Sequence, residues 1–291
     1  MSRTCMVTGA SGYLGGLVLS RMASRGPAVG TAWRPSAPGL VSCDLTDPLA
    51  VKDLLVQHEP DTVVHCAAWR DPDRCEEFPD EAALINSASA RFICAALPPE
   101  AVFVLISSDY VFDGTSPPYT EDDSVCPVNV YGRTKVTAEQ AALARGNSLV
   151  IRPPVLIGQE LTGQGGFIAQ MVSALRSERP ADVDDVLVRF PVFGPDVAEA
   201  VEFLLAKRAA GVFHVSGEQG GTRWQWTLRT AALLGLQTDH LRPSRVIVPR
   251  RAARPPDSHL STGKIKGLGF SGFTGFDEVV RRAVPFLSPS S

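Results

Sequence analysis

The feature that most constrains this chain is a glycine-spaced turn between a strand and a helix near its start. Val7-Thr8-Gly9-Ala10-Ser11-Gly12-Tyr13-Leu14-Gly15 follows the strand-like run Thr4–Thr8 and opens a helical pattern near Gly12–Ala23. Gly9 permits a tight turn, Gly12 lets backbone amides approach a pyrophosphate, and Gly15 allows the helix to pack close to the strand. The helix N-terminus then turns its positive dipole end toward the phosphates. A dinucleotide site at Gly9 and Gly12 is the expectation.

The rest of the first half keeps the same rhythm. Strand-like runs at Ala28–Trp33, Leu40–Cys43, Thr62–His65, Val102–Ser107 and Ser148–Arg152 alternate with helical patterns near Pro48–His58, Asp80–Leu97 and Asn129–Ala144. That alternation implies an α/β fold, a Rossmann-type doubly wound parallel sheet with right-handed crossovers. After Arg152 the rhythm changes. Pro153-Pro154 breaks the pattern, and a Gly- and Gln-rich stretch, Gly158–Gly166, precedes a helix near Phe167–Arg176. Polar Ser177–Asp185 reads as a loop. A helix near Asp196–Lys207, a strand Val212–Val215, a helix near Trp224–Leu234, an Arg/Pro/Gly-rich loop Arg250–Gly269 and a helix Phe276–Leu287 complete the chain. The expected division is a cofactor-binding domain, 1–152, and a smaller α/β substrate-binding domain, 153–291, partly interleaved with the first.

Bulk properties narrow the partners. A formal net charge of -3 over 291 residues gives no reason to expect nucleic acid or an anionic membrane. No apolar run is long enough to span a bilayer, and Met1–Val7 enters a strand-like segment without a signal-peptide layout. None of the six cysteines forms a Cys-x-x-Cys pair. They read as reduced, mostly buried thiols of a cytoplasmic protein, with no metal site built from them.

The end of the second strand selects the cofactor. An acid there would bond the adenosine ribose 2′-hydroxyl of NAD, whereas an Arg would accept the 2′-phosphate of NADP. The sequence is Thr31-Ala32-Trp33-Arg34-Pro35, with no acid, so NADP(H) is expected over NAD(H). Asp44, ahead of Leu45, can bond the adenine amino group or cap the next helix, a role Thr46 or Asp47 can also fill. In His65-Cys66-Ala67-Ala68, small Ala67 and Ala68 let the sheet edge pass under the cofactor, and His65 reads as a core residue.

Tyr131-Gly132-Arg133-Thr134-Lys135 supplies the chemistry. Residues four apart project from one helix face. Tyr131 can give a proton to a carbonyl oxygen, and the Lys135 ammonium is expected to favour its phenolate. Ser107 or Ser108, at the end of the fifth strand, can hold that oxygen. Asn86 reads either as a water-mediated proton relay from Lys135 or as an amide bonded to backbone. Asp109, Tyr110 and Phe112 read as a substrate pocket or as loop packing.

Ser107-Ser108-Asp109-Tyr110-Val111-Phe112-Asp113-Gly114, Pro127–Lys135 and Ala253-Arg254-Pro255-Pro256-Asp257-Ser258-His259-Leu260 resemble the extended short-chain dehydrogenase/reductase family. Within it the chain resembles the dTDP-4-dehydrorhamnose reductase branch. Through Val64–Ala68, Trp33-Arg34 and Phe213-His214-Val215-Ser216-Gly217 it is also similar to the regulatory (beta) subunits of methionine adenosyltransferase. The resemblance implies Ser108, Tyr131 and Lys135 as the catalytic three. It implies cofactor contacts at Gly9, Ser11, Gly12, Tyr13, Leu14, Arg34, Asp44, Leu45, Cys66, Arg70 and Leu156. The substrate, a nucleotide-linked deoxysugar bearing a keto group, would lie near Asp109, Tyr110, Phe167 and Arg254, with Arg254 toward a diphosphate. The match lapses at Asp182–Val192. The regulatory branch implies a partner enzyme instead of turnover, and a third reading is a reductase of another small carbonyl compound in secondary metabolism. A homodimer is compatible with all three.

Overall fold

The computed structural model describes residues 4–35, 37–158, 166–177, 179–246, 249–283 and 285. The first three residues, most of the Gly/Gln-rich stretch (159–165) and residues 284, 286 and 287 of the expected last helix lie outside the described residues.

The first half runs β1 Cys5–Thr8, α1 Tyr13–Ala23, β2 Ala28–Ala32, β3 Leu40–Ser42, α2 Pro48–His58, β4 Thr62–His65, α3 Pro72–Glu77, α4 Pro79–Ala83, α5 Ser89–Ala96, β5 Val102–Ile106, α6 Val130–Ala144 and β6 Ser148–Arg152. The second half runs β7 Leu156–Ile157, α7 Phe167–Arg176, β8 Ala181–Asp184, β9 Val188–Arg189, β10 Val192–Phe193, α8 Gly194–Ala206, β11 Gly211–His214, β12 Gly221–Thr222, α9 Arg223–Leu234, β13 Leu241–Ser244, α10 Gly263–Gly267 and α11 Phe276–Ala283.

Seven strands form one parallel sheet in the order β11-β6-β5-β4-β1-β2-β3. Parallel strands covered on both faces are apolar throughout, and successive side chains alternate between the faces. Along β5, Phe103 and Leu105 enter the layer with α2, α5 and α6, while Val104 and Ile106 enter the layer with α1 and α8. Chain order reverses between β1 and β4, so the carboxyl ends of these two strands open a crevice suited to a ligand. A smaller core of Ile157, Ile168, Met171, Phe193, Trp226, Phe276 and Val280 joins α7, α9 and α11. Thr222 and Gln225 close a capping box at the start of α9.

Several expectations are corrected. Ser177–Asp185 is not all loop. It holds β8, which pairs in parallel with β13, but only Val183 of β8 is buried, so no apolar run announced it. The helix expected over Asp80–Leu97 is interrupted by a π-helical turn, Leu84–Ala88. The Arg250–Gly269 loop contains the short α10. All six cysteines are free, but only Cys43 and Cys75 are buried, and Cys126 is exposed. No helix among the described residues is long and apolar enough to cross a membrane.

Candidate active site

A cleft of about 1180 Å³ opens at the crevice between β1 and β4. The turn residues Gly9, Ser11, Gly12, Tyr13 and Leu14 form one wall, with Asp44 and Leu45 beyond them. Cys66, Ala67, Ala68 and Arg70 form the floor, and Leu156 flanks it. Gly9 has φ +68°, and a Cβ there would lie 2.7 Å from the Ala67 backbone. A Cβ on Gly15 would lie 2.2 Å from the Gly9 carbonyl oxygen. The N-cap of α1, Gly12, offers no side-chain cap, so the first amides of the helix face the cleft. Backbone donors at a helix N-terminus, with no side chain in the way, fit the pyrophosphate of a dinucleotide.

Two of the expected contacts differ in detail. Asp47 caps α2 by accepting from Leu49 N at 2.8 Å, and Asp44 Oδ1 accepts from Thr46 N at 2.8 Å. Arg34 does not line the cleft. Its guanidinium lies 4.2 Å from the ring centroid of Trp33, which does line it. Tyr13 donates its hydroxyl proton to Ile157 O at 3.0 Å, tying α1 to β7.

Ser108, Tyr131 and Lys135 converge on the middle of the cleft. Asn129 fixes the start of α6, accepting from Gly132 N at 2.8 Å and donating to Ala253 O at 2.8 Å. Gly132 is needed where α6 crosses the Ser108 loop, because a Cβ there would lie 2.2 Å from Tyr110 O. The Tyr131 hydroxyl lies on the Ser108 side of the cleft, close enough for Ser108 to act on it. Ser108 Oγ in turn donates to Asp109 Oδ1 at 3.0 Å and accepts from Tyr110 N at 3.2 Å. Lys135 is buried and donates to Ile106 O at 2.6 Å.

The electrostatics depart from the expected Lys–Tyr coupling. Burial pushes the Tyr131 phenol up, against the influence of the Ser108 hydroxyl, and the neighbouring Asp109 carboxylate adds to the rise. Burial also pulls Lys135 down to about 8, opposed by Glu139. Asp109 is raised by its burial, against hydrogen bonds from Ser258 and Ser108 and the charge of Arg189. His65 is the core residue expected: it joins Thr8 Oγ1 and Ser89 Oγ, and burial lowers it to about 3.

Asn86 sits in the π-helical turn. Its amide accepts from Trp69 N at 2.7 Å and donates to Trp69 O at 3.0 Å and Thr134 Oγ1 at 3.1 Å. These are the backbone contacts of the second reading; they clamp the cofactor floor to α6 and leave no amide proton for a relay from Lys135.

At the outer end, Asp109, Tyr110, Phe167 and Arg254 line the cleft as expected. Phe112 lies in a buried cluster behind it. Arg254 is committed elsewhere: it donates to Asp73 Oδ2 at 2.8 Å and to Ala252 O at 2.9 Å. Sequence reasoning missed the other cations. Arg189, Arg223 and Arg250 line the same end, and Arg223 is lowered by burial and by the charge of Arg250. They lie on segments with no motif, and only the fold collects them. Glu139 was also missed, although its position four residues after Lys135 would have placed it on the same face.

Residues 3–286 match the family model described as RmlD substrate binding domain. The chain is 36% identical to methionine adenosyltransferase 2 subunit beta of Rattus norvegicus, over 98% of this chain and 89% of that protein. It is 33% identical to dTDP-4-keto-6-deoxy-D-glucose reductase of Streptomyces niveus, over 84% of this chain and 83% of that one. A solved dTDP-4-dehydrorhamnose reductase from Clostridium acetobutylicum has a TM-score of 0.87 and 26% identity, covering 98% of this chain and 99% of that chain.

Proposed function

The chain belongs to the RmlD substrate binding domain family, and from that premise we propose that it is an NADPH-dependent reductase of a keto group on a nucleotide-linked deoxysugar. The observation that carries the reading is the convergence of Ser108, Tyr131 and buried Lys135 in one cleft that opens at the glycine turn. The reduced nicotinamide supplies the hydride. Ser108 Oγ holds the substrate carbonyl oxygen, and Tyr131 gives that oxygen its proton. The raised Tyr131 phenol stays protonated in the resting site, as a general acid must. Lys135 places a cation beneath the reacting groups, where charge develops. The α1 amides hold the pyrophosphate, and Arg34 beside Trp33, with no acid at the end of β2, favours the 2′-phosphate of NADP. Arg223 and Arg250, rather than Arg254, are the cations available to a substrate diphosphate.

The test is NADPH oxidation with dTDP-4-keto-6-deoxy sugars. Tyr131→Phe lowers turnover by about 10²–10⁴-fold while NADPH binding survives. Turnover equal to the parent chain removes Tyr131 from the chemistry.

A second reading rests on the 36% identity to the rat subunit across nearly the whole chain. In it the same site holds NADP(H) and the chain regulates a partner enzyme. Recovery of a stoichiometric methionine adenosyltransferase with the native chain, and no sugar reduction, favours that reading. Reduction without such a partner favours the first.

A further inference from the structure

Glu139 is a charged group that the proposed chemistry does not use. It stands on α6 one turn beyond Lys135 and on the same face, and its side chain is only 4% exposed. Taking a carboxylate out of water costs several kcal/mol unless its lone pairs are satisfied. Here they are. Oε1 accepts from Arg152 Nε at 2.9 Å and from Ser107 Oγ, and Oε2 accepts from Arg152 Nη2 at 2.6 Å. Arg152 is itself fixed. Its remaining nitrogen, Nη1, lies 3.4 Å from His214 Nε2, and its guanidinium lies over the Phe112 ring. Burial holds His214 at about 3, so the ring is neutral and accepts. The carboxylate is therefore locked by three hydrogen bonds from two partners, against the end of β5 that leads into Ser107 and Ser108.

Lys135 sits at the open end of this network. From α6 it faces Glu139, from the floor Cys66, from α3 Cys75, and from β4 His65. The thiols are raised and neutral, and His65 is neutral. Among the described residues acting on Lys135, Glu139 is the one carboxylate. Without it, the burial that strips the proton from this lysine is opposed only by the weaker influence of Cys66 and Cys75 and by the hydrogen bond to Ile106 O.

We propose that Glu139 is a positioning residue: anchored by Arg152 and Ser107, it keeps Lys135 in its ammonium form in the lining of the cleft, where an ammonium would donate to a hydroxyl of a bound dinucleotide. The proposal rests on the cofactor reading above but not on turnover. A purely structural staple between α6 and β6 would affect stability alone.

The experiment is the dissociation constant of NADPH, measured by fluorescence on the full chain from about pH 6 to about pH 9.5. In the parent chain binding holds steady until near 8, then weakens as Lys135 loses its proton. In Glu139→Gln the onset moves down by about one unit or more, the effect of one nearby charge. Binding then matches the parent at about pH 6 and is severalfold weaker at about pH 7.5. Glu139→Gln also leaves the Arg152 cation unpaired, which itself disfavours the Lys135 ammonium, so the double variant Glu139→Gln/Arg152→Met is measured beside it, with a smaller shift in the same direction expected. Glu139→Asp, which keeps the charge, keeps the parent profile. A folded variant lacking Glu139 whose profile overlies the parent, or a parent profile flat across the range, overturns the proposal. No NADPH binding at any pH refutes the cofactor reading, and this one with it.

Discussion

Gly15 and Gly16 are neighbours in α1, yet an Ala at each should act in opposite directions. An added Cβ at Gly15 would lie 2.2 Å from the Gly9 carbonyl oxygen and 2.7 Å from its carbon. These are backbone atoms of the turn, so no side chain can swing aside, and turn and helix must part by about 1 Å. Overpacking of this kind costs about 1–3 kcal/mol. The gain from replacing a helical Gly by Ala, about 0.8–1 kcal/mol, offsets part of it. At Gly16 the same atom would lie 3.4 Å from Ala10 O, an ordinary contact, so the helical gain stands nearly alone. The unfolding entropy, about 2.1 cal/mol/K per residue, comes to about 0.6 kcal/mol/K for this chain. Gly15→Ala should then lower Tm by up to about 4 °C, and Gly16→Ala raise it by about 1–2 °C. The turn moved by Gly15→Ala also carries the amides assigned to the pyrophosphate, so the Kd for NADPH should rise about tenfold or more; misplacement by 1 Å is enough for such losses. Scanning calorimetry and a fluorescence titration read both effects. Equal Tm shifts in the two variants, or a Gly15→Ala protein that binds NADPH like the parent, would refute the packing argument.

Two other outcomes follow from the buried charges. Burial holds His65 near 3 against 6.5 in the unfolded chain, so between those values unfolding takes up a proton and stability falls as pH falls. His65→Gln should reduce that slope by about 1.4 kcal/mol per pH unit between pH 6 and 4, read from denaturant titrations; an unchanged slope rules out a neutral buried His65. At the outer cleft, Arg223→Gln should raise KM for a dTDP-sugar about tenfold with NADPH affinity unchanged, the worth of one charge-assisted hydrogen bond. Arg254→Gln should instead lower Tm, because it breaks the contact with Asp73. Equal KM effects in the two variants would return Arg254 to the substrate.

The sequence was most readable where one physical demand controls several neighbours. The six strands of the first half were found within a residue because each is a short apolar run between turn formers. Helix period put Tyr131 and Lys135 on one face, and the strand end narrowed the hydroxyl to Ser107 or Ser108; only the family resemblance singled out Ser108. The environment of these groups could not be read, because its partners are remote in sequence. Arg254 meets Asp73 from 181 residues away, and Asp109 meets Ser258 from 149 away. A spacing rule cannot see such pairs. The β8–β13 pair escaped for a different reason: Ala181-Asp182-Val183-Asp184 buries one side chain and so carries no apolar signal.

The last strand of the sheet has a consequence for how the chain is made. β11 pairs along β6 from Leu149 to Arg152, yet it begins at Gly211, after β7 to β10 and two helices have been synthesised. Until then β6 emerges with an open, apolar edge, the kind of surface on which chains join one another. A gene cut after Arg152 would make that edge permanent. The late strand works as a latch on β6: that edge is covered only once nearly half of the remaining chain exists, and the open edge then passes to β11.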